Sequence, residues 1–415
     1  MIELSSSRKN KINLLDYPYQ KDIANRLLMS TFSTLEVDVI QEILYNPLKI
    51  PIAKLSRSLE LSFDKLLPIL QKLTRTSLFT IQGELLYIDK EMRKYFESEM
   101  HKFNVDFNPD MEALQVLLKK VPIHILPTWY SIPRTSNNIF ESIVEKYLLT
   151  PQIYQRHLLE IQAEDPIFSQ MIQDIFHAPN FILFAEDLCR KYSLSHEEFE
   201  EYILYLEFHF IAALNYILVG DEWKEAVTPF REWKEYLIFQ KKTEITPIKK
   251  NKVKRKWTSD FFFVEKITLA LLGKAPTNDP DWQEVQKKCQ LIKIPPDQWF
   301  SLSSQEQALY LYRRLTDKSI REVEKRLKEV AHLGWIFLED FIQGTTIFLH
   351  EDNKVLLKRY GKSWKYTLPC YTEGEKTLIK TILFEYLFET AMIAIGEVDG
   401  KACFSVTPFG RTFFE

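Results

Sequence analysis

Three groups of basic side chains have the residue types and the spacing needed to bind phosphate, and they are the candidate functional residues of this chain. Lysine and arginine neutralise nucleic-acid phosphates and release their counterions. In the third group aromatic side chains alternate with the cations, and aromatic rings are surfaces on which bases stack. The candidate nucleic-acid contacts are Lys65, Lys72 and Arg75 in the first group, Lys249, Lys250, Lys252, Lys254, Arg255 and Lys256 in the second, and Lys358, Arg359, Lys362, Trp364 and Lys365 in the third.

Each group also has an interpretation that involves no nucleic acid. The first lies on a predicted helix, where three cations can form a solvated face, and Pro68 would disturb a helix that lies in a DNA groove. The second lies in a segment without periodicity, which attracts any polyanion or can lie across the acidic segment before it. The third is the best local indication of nucleic-acid binding because it combines charge with stacking surfaces.

The sequence contains no recognisable catalytic or nucleotide-binding motif. Gly361-Lys362-Ser363 fails as a phosphate-binding loop because Leu356 stands where that motif requires its first glycine. No GxGxxG, HExxH or GxSxG motif is present. Only 10 of the 415 residues are glycine, about a third of the usual share, which leaves few positions for phosphate-binding loops. We therefore expect no enzyme activity and no cofactor.

Residues that commonly bind metals are scattered along the chain. The four cysteines lie far apart without a CxxC pair, so neither a disulfide framework nor a zinc site is predicted. The eight histidines are dispersed, and His209 is interpreted as a core residue. Glu197, Glu198, Glu200 and Glu201 are interpreted as the solvated first turn of a helix, where carboxylates interact favourably with the helix dipole.

An internal repeat indicates the elements that position these residues. Residues 55–73 align with residues 188–206 at an offset of 133, and the shared apolar positions have helical spacing. Two predicted helices, over 34–45 and 52–59 in the first copy, lead up to the aligned helix, and a predicted hairpin with a turn glycine follows it. The N-caps are expected to be Ser62 and Ser195, and the turn glycines Gly83 and Gly220. Three helices followed by a hairpin predict a winged helix in each copy.

The C-terminal part contains two further candidate hairpins. One is centred on Gln343-Gly344, between residues 333–338 and 346–349, and the other has Asp399-Gly400 as its turn. The second hairpin runs into Val406-Thr407-Pro408-Phe409, which repeats Val227-Thr228-Pro229-Phe230. In both places threonine is predicted to cap a helix and proline to occupy its first turn, where the missing amide has no cost.

These residues carry a family resemblance. The hairpin followed by Val406-Thr407-Pro408-Phe409-Gly410-Arg411 is similar to the strand-to-helix junction of winged helices associated with XPB-type helicases, where the pattern is close to Leu-Thr-Pro-x-Gly-Arg. The segment 299–312 resembles the Trp-x-x-Leu segment that precedes a helix in that family. The resemblance covers roughly residues 290–415; this chain has valine in place of the junction leucine, and it has no motor domain. It implies a nucleic-acid-associated accessory segment.

Charge divides the chain into segments. Residues 101–240 carry a net charge of −10, whereas the short stretch 241–256 carries +7. With the repeat, this predicts a winged-helix domain over 1–103, an acidic winged-helix domain over 104–240, a basic linker over 241–256 and a C-terminal winged-helix region of one or two units over 257–415. The expected fold is mostly α with small β-hairpins (α+β), arranged as tandem winged-helix domains.

The expected function is a non-enzymatic winged-helix array that binds DNA or a DNA-bound protein complex, as a transcription or helicase accessory. The alternative is a protein-binding scaffold without affinity for nucleic acid, and the acidic middle domain, which would repel phosphate, suits a basic protein partner. The N-terminus lacks the apolar run of a signal peptide, and charged and polar residues interrupt the longest apolar stretch, 202–219. We therefore expect a cytoplasmic protein that makes no membrane contact.

Overall fold

Helices account for most of the structure. The computed structural model describes residues 12–163, 165–274, 295–344, 346–350, 353–361 and 363–414. The described helices are α1 (Tyr19–Met29), α2 (Thr34–Tyr45), α3 (Ile52–Ser58), α4 (Phe63–Leu73), α5 (Lys90–Glu99), α6 (Met111–Leu118), α7 (Leu126–Trp129), α8 (Ile139–Tyr147), α9 (Pro151–Gln162), α10 (Pro166–His177), α11 (Ala185–Tyr192), α12 (His196–Phe208), α13 (Arg231–Lys242), α14 (Phe262–Leu271), α15 (Pro296–Phe300), α16 (Ser304–Leu315), α17 (Lys318–Val330), α18 (Leu338–Gly344), α19 (Glu373–Thr381) and α20 (Pro408–Phe414).

The strands are short and form small antiparallel sheets of two to four strands. They are β1 (Lys49–Pro51), β2 (Phe79–Gln82), β3 (Leu85–Ile88), β4 (Leu183–Phe184), β5 (Ala212–Val219), β6 (Glu222–Pro229), β7 (Arg255–Trp257), β8 (Ile336–Phe337), β9 (Leu357–Tyr360), β10 (Ser363–Tyr366), β11 (Ile393–Val398) and β12 (Lys401–Val406). The predicted α+β class, mostly helical with small hairpins, is therefore confirmed.

One order of elements occurs three times. A helix, a short strand, two helices and a hairpin follow one another as α2-β1-α3-α4-β2-β3 and as α10-β4-α11-α12-β5-β6. The same order occurs as α17-β8-α18-α19-β11-β12, with the β9–β10 hairpin inserted between α18 and α19. In each set the short strand pairs with the second strand of the hairpin, as β1 with β3, β4 with β6 and β8 with β12. We call these sets repeats one, two and three. The hairpins expected around Gly83 and Gly220 are the β2–β3 and β5–β6 hairpins.

The chain divides into two compact units. Unit 1 contains the residues up to Leu237 together with Leu356–Tyr366, and unit 2 contains Ile238–Val355 and Thr367–Glu415. Repeats one and two therefore belong to unit 1 and repeat three to unit 2. The β9–β10 hairpin lies between α18 and α19 in the sequence but belongs to unit 1, where Leu357 donates its amide to the Leu149 carbonyl over 2.9 Å. The segments predicted from charge do not separate this hairpin from its neighbours.

Local capping signals are borne out only in part. Ser195 and Glu198 form the expected capping box at the start of α12. Ser62 precedes α4 but its side chain makes no capping hydrogen bond. Thr407 caps α20 through a hydrogen bond from the Gly410 amide, with Pro408 in the first turn as predicted. The equivalent expectation at Pro229 is wrong, because that residue ends β6, paired with Ala212, and α13 begins two residues later.

The hairpin expected around Gln343-Gly344 is also wrong. Residues 338–344 form α18, and the preceding strand β8 pairs with β12 rather than with the segment after Gly344. The hairpin of repeat three is the other candidate, β11–β12, whose turn contains Asp399 and Gly400. Its core combines Leu327 of α17, Phe341 of α18, Ile379 of α19 and Phe404 of β12. Throughout the described ranges, no helix has the length and apolar composition needed to cross a bilayer.

Candidate nucleic-acid interface

The basic stretch 249–256 begins beside Ile248, which is bridged to Trp335, and ends in β7, the edge strand that pairs with β11 in the sheet of repeat three. Lys250 and Lys252 lie in a 3-10 turn, and Arg255 and Lys256 lie in β7, which pairs with β11. Within the predicted linker, Arg255 and Lys256 therefore belong to an edge strand, whereas residues 249–254 consist of a 3-10 turn and irregular chain. The side chains of Lys249, Lys250, Lys252, Lys254, Arg255 and Lys256 are all exposed.

Apolar anchors and a glycine explain why this stretch follows the sheet. Val253 is buried against Val398 and Cys403, between the exposed cations on either side. Its approach to β11 is possible because residue 396 is glycine: a Cβ at Gly396 would lie 2.7 Å from Val253 Cγ1 and 2.6 Å from Trp335 Cζ3. The cations are thus displayed by a backbone that is fixed on its opposite side.

Only part of this charge is neutralised within the protein. Lys254 lies 2.9 Å from Asp399 and Arg255 lies 3.5 Å from Glu397. The hydrogen bond from Lys254 lowers the pKa of Asp399 below its usual value. Lys249, Lys250 and Lys252 form no ion pair within the described part of the chain. Six cations against two paired carboxylates leave a formal excess of four positive charges on this edge.

The first predicted group is less available. Lys72 lies 2.8 Å from the Glu36 carboxylate, and it also donates to the Thr31 carbonyl over 3.1 Å. This cation is engaged inside repeat one. Lys65 in α4 and Arg75 just beyond it are exposed. Pro68 does not interrupt α4, which continues from Phe63 to Leu73.

The third group is divided between the two faces of the β9–β10 hairpin. Lys358 and Lys365 are cross-strand partners and both are exposed. Trp364 is paired with Arg359 on the other face, is half-buried, and packs edge-on against Phe140 at a centroid distance of 6.0 Å. The stacking surface predicted at Trp364 is therefore already covered in part. Lys362 lies outside the described residues.

The expectation of a fully solvated acidic first turn in α12 is wrong at Glu200. This side chain has no exposed surface, whereas Glu197 and Glu198 are exposed. Glu200 Oε2 accepts from Arg26 Nε over 2.6 Å, and Glu207, two turns later, accepts from Arg26 Nη1 over 2.8 Å. His209 is buried beside His157, as expected for a core residue.

This buried ion-pair network in unit 1 was not predicted from the sequence. Besides Arg26, Glu200 and Glu207 it contains Lys102, which lies 2.9 Å from Glu99, and Lys120. Lys120 lies 2.7 Å from Glu99 and 2.9 Å from Asp22. The sequence pattern that could have indicated a buried Arg26 is its position three residues after Ile23 and three before Met29, which places it on the apolar, buried face of α1.

The network shifts the ionisation of its members. Against the opposing effect of burial, Glu200 and Glu207 raise the pKa of Arg26 well above its usual value. Burial raises the pKa of Glu200 to about 7, with Glu225 adding to the effect and Arg26 opposing it. Burial also acts on Glu207, but Arg26 and Lys102 lower its pKa. Glu200 is thus the carboxylate of this group that is least well compensated.

A histidine and two carboxylates of repeat two come together beside this network. His196 and Glu200 are one turn apart on α12, and Glu225 lies on β6. One ring nitrogen of His196 and one carboxylate oxygen of each glutamate lie within 4.8 Å of one another. The hydrogen bond with Glu225 raises the pKa of His196. These three side chains offer ligand atoms that metal ions use.

Comparison of the chain with protein-family models, with curated proteins and with solved structures finds no match.

Proposed function

We propose that this protein is a non-enzymatic array of winged helices that binds DNA or a DNA-bound protein complex in the cytoplasm, and that its phosphate-binding surface is the basic edge 249–256 of repeat three. The observation that carries the proposal is the display of six exposed cations within the short stretch 249–256, which ends in the edge strand β7, with only two of them matched by carboxylates. Clustered, unneutralised lysine and arginine on one face is the electrostatic feature of nucleic-acid-binding surfaces.

The order of elements supports the winged-helix interpretation. Three helices with a short strand after the first, followed by a hairpin that pairs with that strand, occur in all three repeats. In such units the third helix and the hairpin are the elements that meet DNA. In repeat three the β11–β12 hairpin is paired with β7, so the cations of β7 lie on the same sheet as the hairpin.

The repeats are not equivalent in this proposal. The third helix of repeat two, α12, buries Glu200 and Glu207 in ion pairs with Arg26. Its exposed residues Glu197 and Glu198 would repel phosphate. Repeat two is therefore assigned to contact with a basic protein partner, and repeat three to contact with DNA.

Fluorescence anisotropy of labelled duplex DNA across a salt series tests the assignment. Replacing Lys249, Lys250 and Lys252 by glutamine should weaken binding. The slope of log K against log salt should fall by about 0.9 for each phosphate that is no longer neutralised, so by up to about 2.7. A matched control removes the same charge from helical ion pairs of the same unit, at Lys325, Lys328 and Lys376.

The control variant should keep the wild-type slope, because its cations already face Glu322, Glu324 and Glu373. Equal effects of the two triple variants would mean that only net charge matters, which contradicts the assignment of phosphate binding to residues 249–256. Absence of duplex binding by the wild-type protein at low salt would overturn the DNA proposal. In that case the protein-binding scaffold becomes the better interpretation, because the exposed acidic start of α12 is then the remaining candidate surface.

A further inference from the structure

We propose that His196, Glu200 and Glu225 form a binding site for one divalent transition-metal ion of the zinc type. The site lies entirely within repeat two and is independent of the proposed binding of DNA. It is carried by the convergence of three ligand-type side chains, by an unpartnered buried carboxylate oxygen, and by the balance of buried charge around it.

The geometry brings the ligands together from two elements. His196 and Glu200 are four residues apart on α12, so their side chains lie on one face of the helix. Glu225 faces them from β6, and its Oε2 lies 2.6 Å from His196 Nε2. The three ligand atoms are all within 4.8 Å of one another. An imidazole with two carboxylates is a donor set that suits zinc and its first-row neighbours.

Glu200 supplies the independent indication of a ligand. Its side chain is completely buried, and only one of its oxygens, Oε2, accepts a hydrogen bond, from Arg26. The other oxygen, Oε1, is buried and has no hydrogen-bond partner among the described residues. Buried polar atoms without a partner are rare and require an explanation. Glu200 and Glu225 lie close enough to share a proton, which raises the pKa of Glu200, and a cation bound between the two carboxylates would take the place of that proton.

The surrounding charges favour a dication in particular. The connected buried network contains five carboxylates, which are Asp22, Glu99, Glu200, Glu207 and Glu225, and three cations, which are Arg26, Lys102 and Lys120. Five negative and three positive charges leave a formal excess of two negative charges. A bound divalent ion would neutralise this excess, which in its absence can be offset by protons on His196 and Glu200.

The ion can reach the site from solvent. His196 and Glu225 line a cavity of about 680 Å³, whose wall also includes Cys189, Glu186 and Trp223. The side chain of His196 is 42% exposed, whereas that of Glu225 is 6% exposed. Because His196 and Glu225 both line the cavity, an ion held between them would be accessible from it. A site with three ligands and an open position resembles accessible metal centres more than closed structural ones.

Metal binding by the full-length chain, stripped with a chelator, tests the proposal. The probes are Co²⁺, followed by its visible absorption, and Zn²⁺, followed by competition with a chromophoric chelator. We expect one equivalent of either ion per chain. Because removal of an outer partner of a metal ligand already weakens binding by 10–100-fold, His196→Ala should weaken it by at least about 100-fold. Glu225→Gln should weaken it in the same direction.

Matched controls separate this site from adventitious surface binding. His177→Ala removes a histidine from the surface of α10, and Glu222→Gln removes a carboxylate from the wall of the same cavity. Both controls should bind as wild type does. Because Glu200 is fully buried against Arg26, the half-exposed His196 is the residue replaced, and circular dichroism establishes that each variant is folded. Less than one equivalent bound by wild type, or wild-type affinity in His196→Ala, would overturn the proposal.

Discussion

Arg26 is the residue whose replacement tests the buried network most directly. Its guanidinium lies 2.6 Å from Glu200 and 2.8 Å from Glu207, and none of the three side chains has more than 2% of its surface exposed. Removing one partner from a buried ion pair leaves an uncompensated charge, which costs about 3–5 kcal/mol. Arg26→Met keeps the length and apolar stem of the side chain but removes the charge. We expect it to lower the free energy of unfolding by that amount.

The assay must report on unit 1 alone, because a chain of two compact units need not unfold in one step. Urea denaturation followed by circular dichroism should therefore be combined with hydrogen exchange of peptides from α1 and α12. Lys72→Met is the matched control. Lys72 also faces a buried glutamate, but its own side chain is 36% exposed, so about 0–1 kcal/mol is expected.

A second replacement distinguishes missing charge compensation from missing packing. Glu207→Gln in the Arg26→Met background removes the stranded charge but keeps an oxygen that can accept from the Leu214 amide, as Glu207 does over 2.9 Å. The double variant should recover at least about 1 kcal/mol relative to Arg26→Met. If Arg26→Met matches the Lys72→Met control, or if the two replacements simply add, the network does not stabilise unit 1 through charge compensation.

Two further predictions concern other parts of the fold. Burial lowers the pKa of His157 to about 4, whereas an exposed histidine titrates near 6.5, so only the unfolded chain takes up this proton as the pH falls from 6.5 to 4. The free energy of unfolding should therefore fall over this pH range, and His157→Phe should reduce the loss by about 3 kcal/mol. The neighbouring His209, whose pKa is also lowered by burial, should still contribute a loss of its own. Gly396→Ala should lower the free energy of unfolding by about 1–3 kcal/mol, since its Cβ overlaps Val253 and Trp335. Gly374→Ala, at an open helical position, should be neutral or stabilising, and thermal unfolding of the two variants measures the difference.

Elements fixed by local patterns were predicted well from the sequence. Helix α2 has the expected bounds, and the hairpins around Gly83 and Gly220 are present because glycine there adopts the positive φ that the turns require. The same reasoning wrongly predicted a hairpin turn at Gly344. This residue occupies a helix end where a Cβ would collide with the Thr243 carbonyl, so glycine is needed for close packing and not for a turn.

Long-range pairing could not be predicted. Arg255–Trp257 form a strand only because residues 395–397 of β11 present a free edge, and nothing in the local sequence indicates this partner. The buried network depends in the same way on contacts across the chain, since Arg26 and Glu207 are 181 residues apart. Histidine and glutamate four residues apart on a helix are common, so His196 and Glu200 become noteworthy only when Glu225 is placed beside them.

The burial of α12 bears on whether repeat two can bind a DNA groove with its third helix. A helix that reads a DNA groove must present its side chains to the base edges. In repeat two that position is filled by a helix whose residues Glu200, Ile203, Leu204 and Glu207 are buried, and two of these are ion-paired to Arg26. Exposing them would cost several kilocalories per mole for the ion pairs alone. A measured loss of about 3–5 kcal/mol in Arg26→Met would thus also mean that the ion pairs of Glu200 and Glu207 hold this face of α12 inside unit 1.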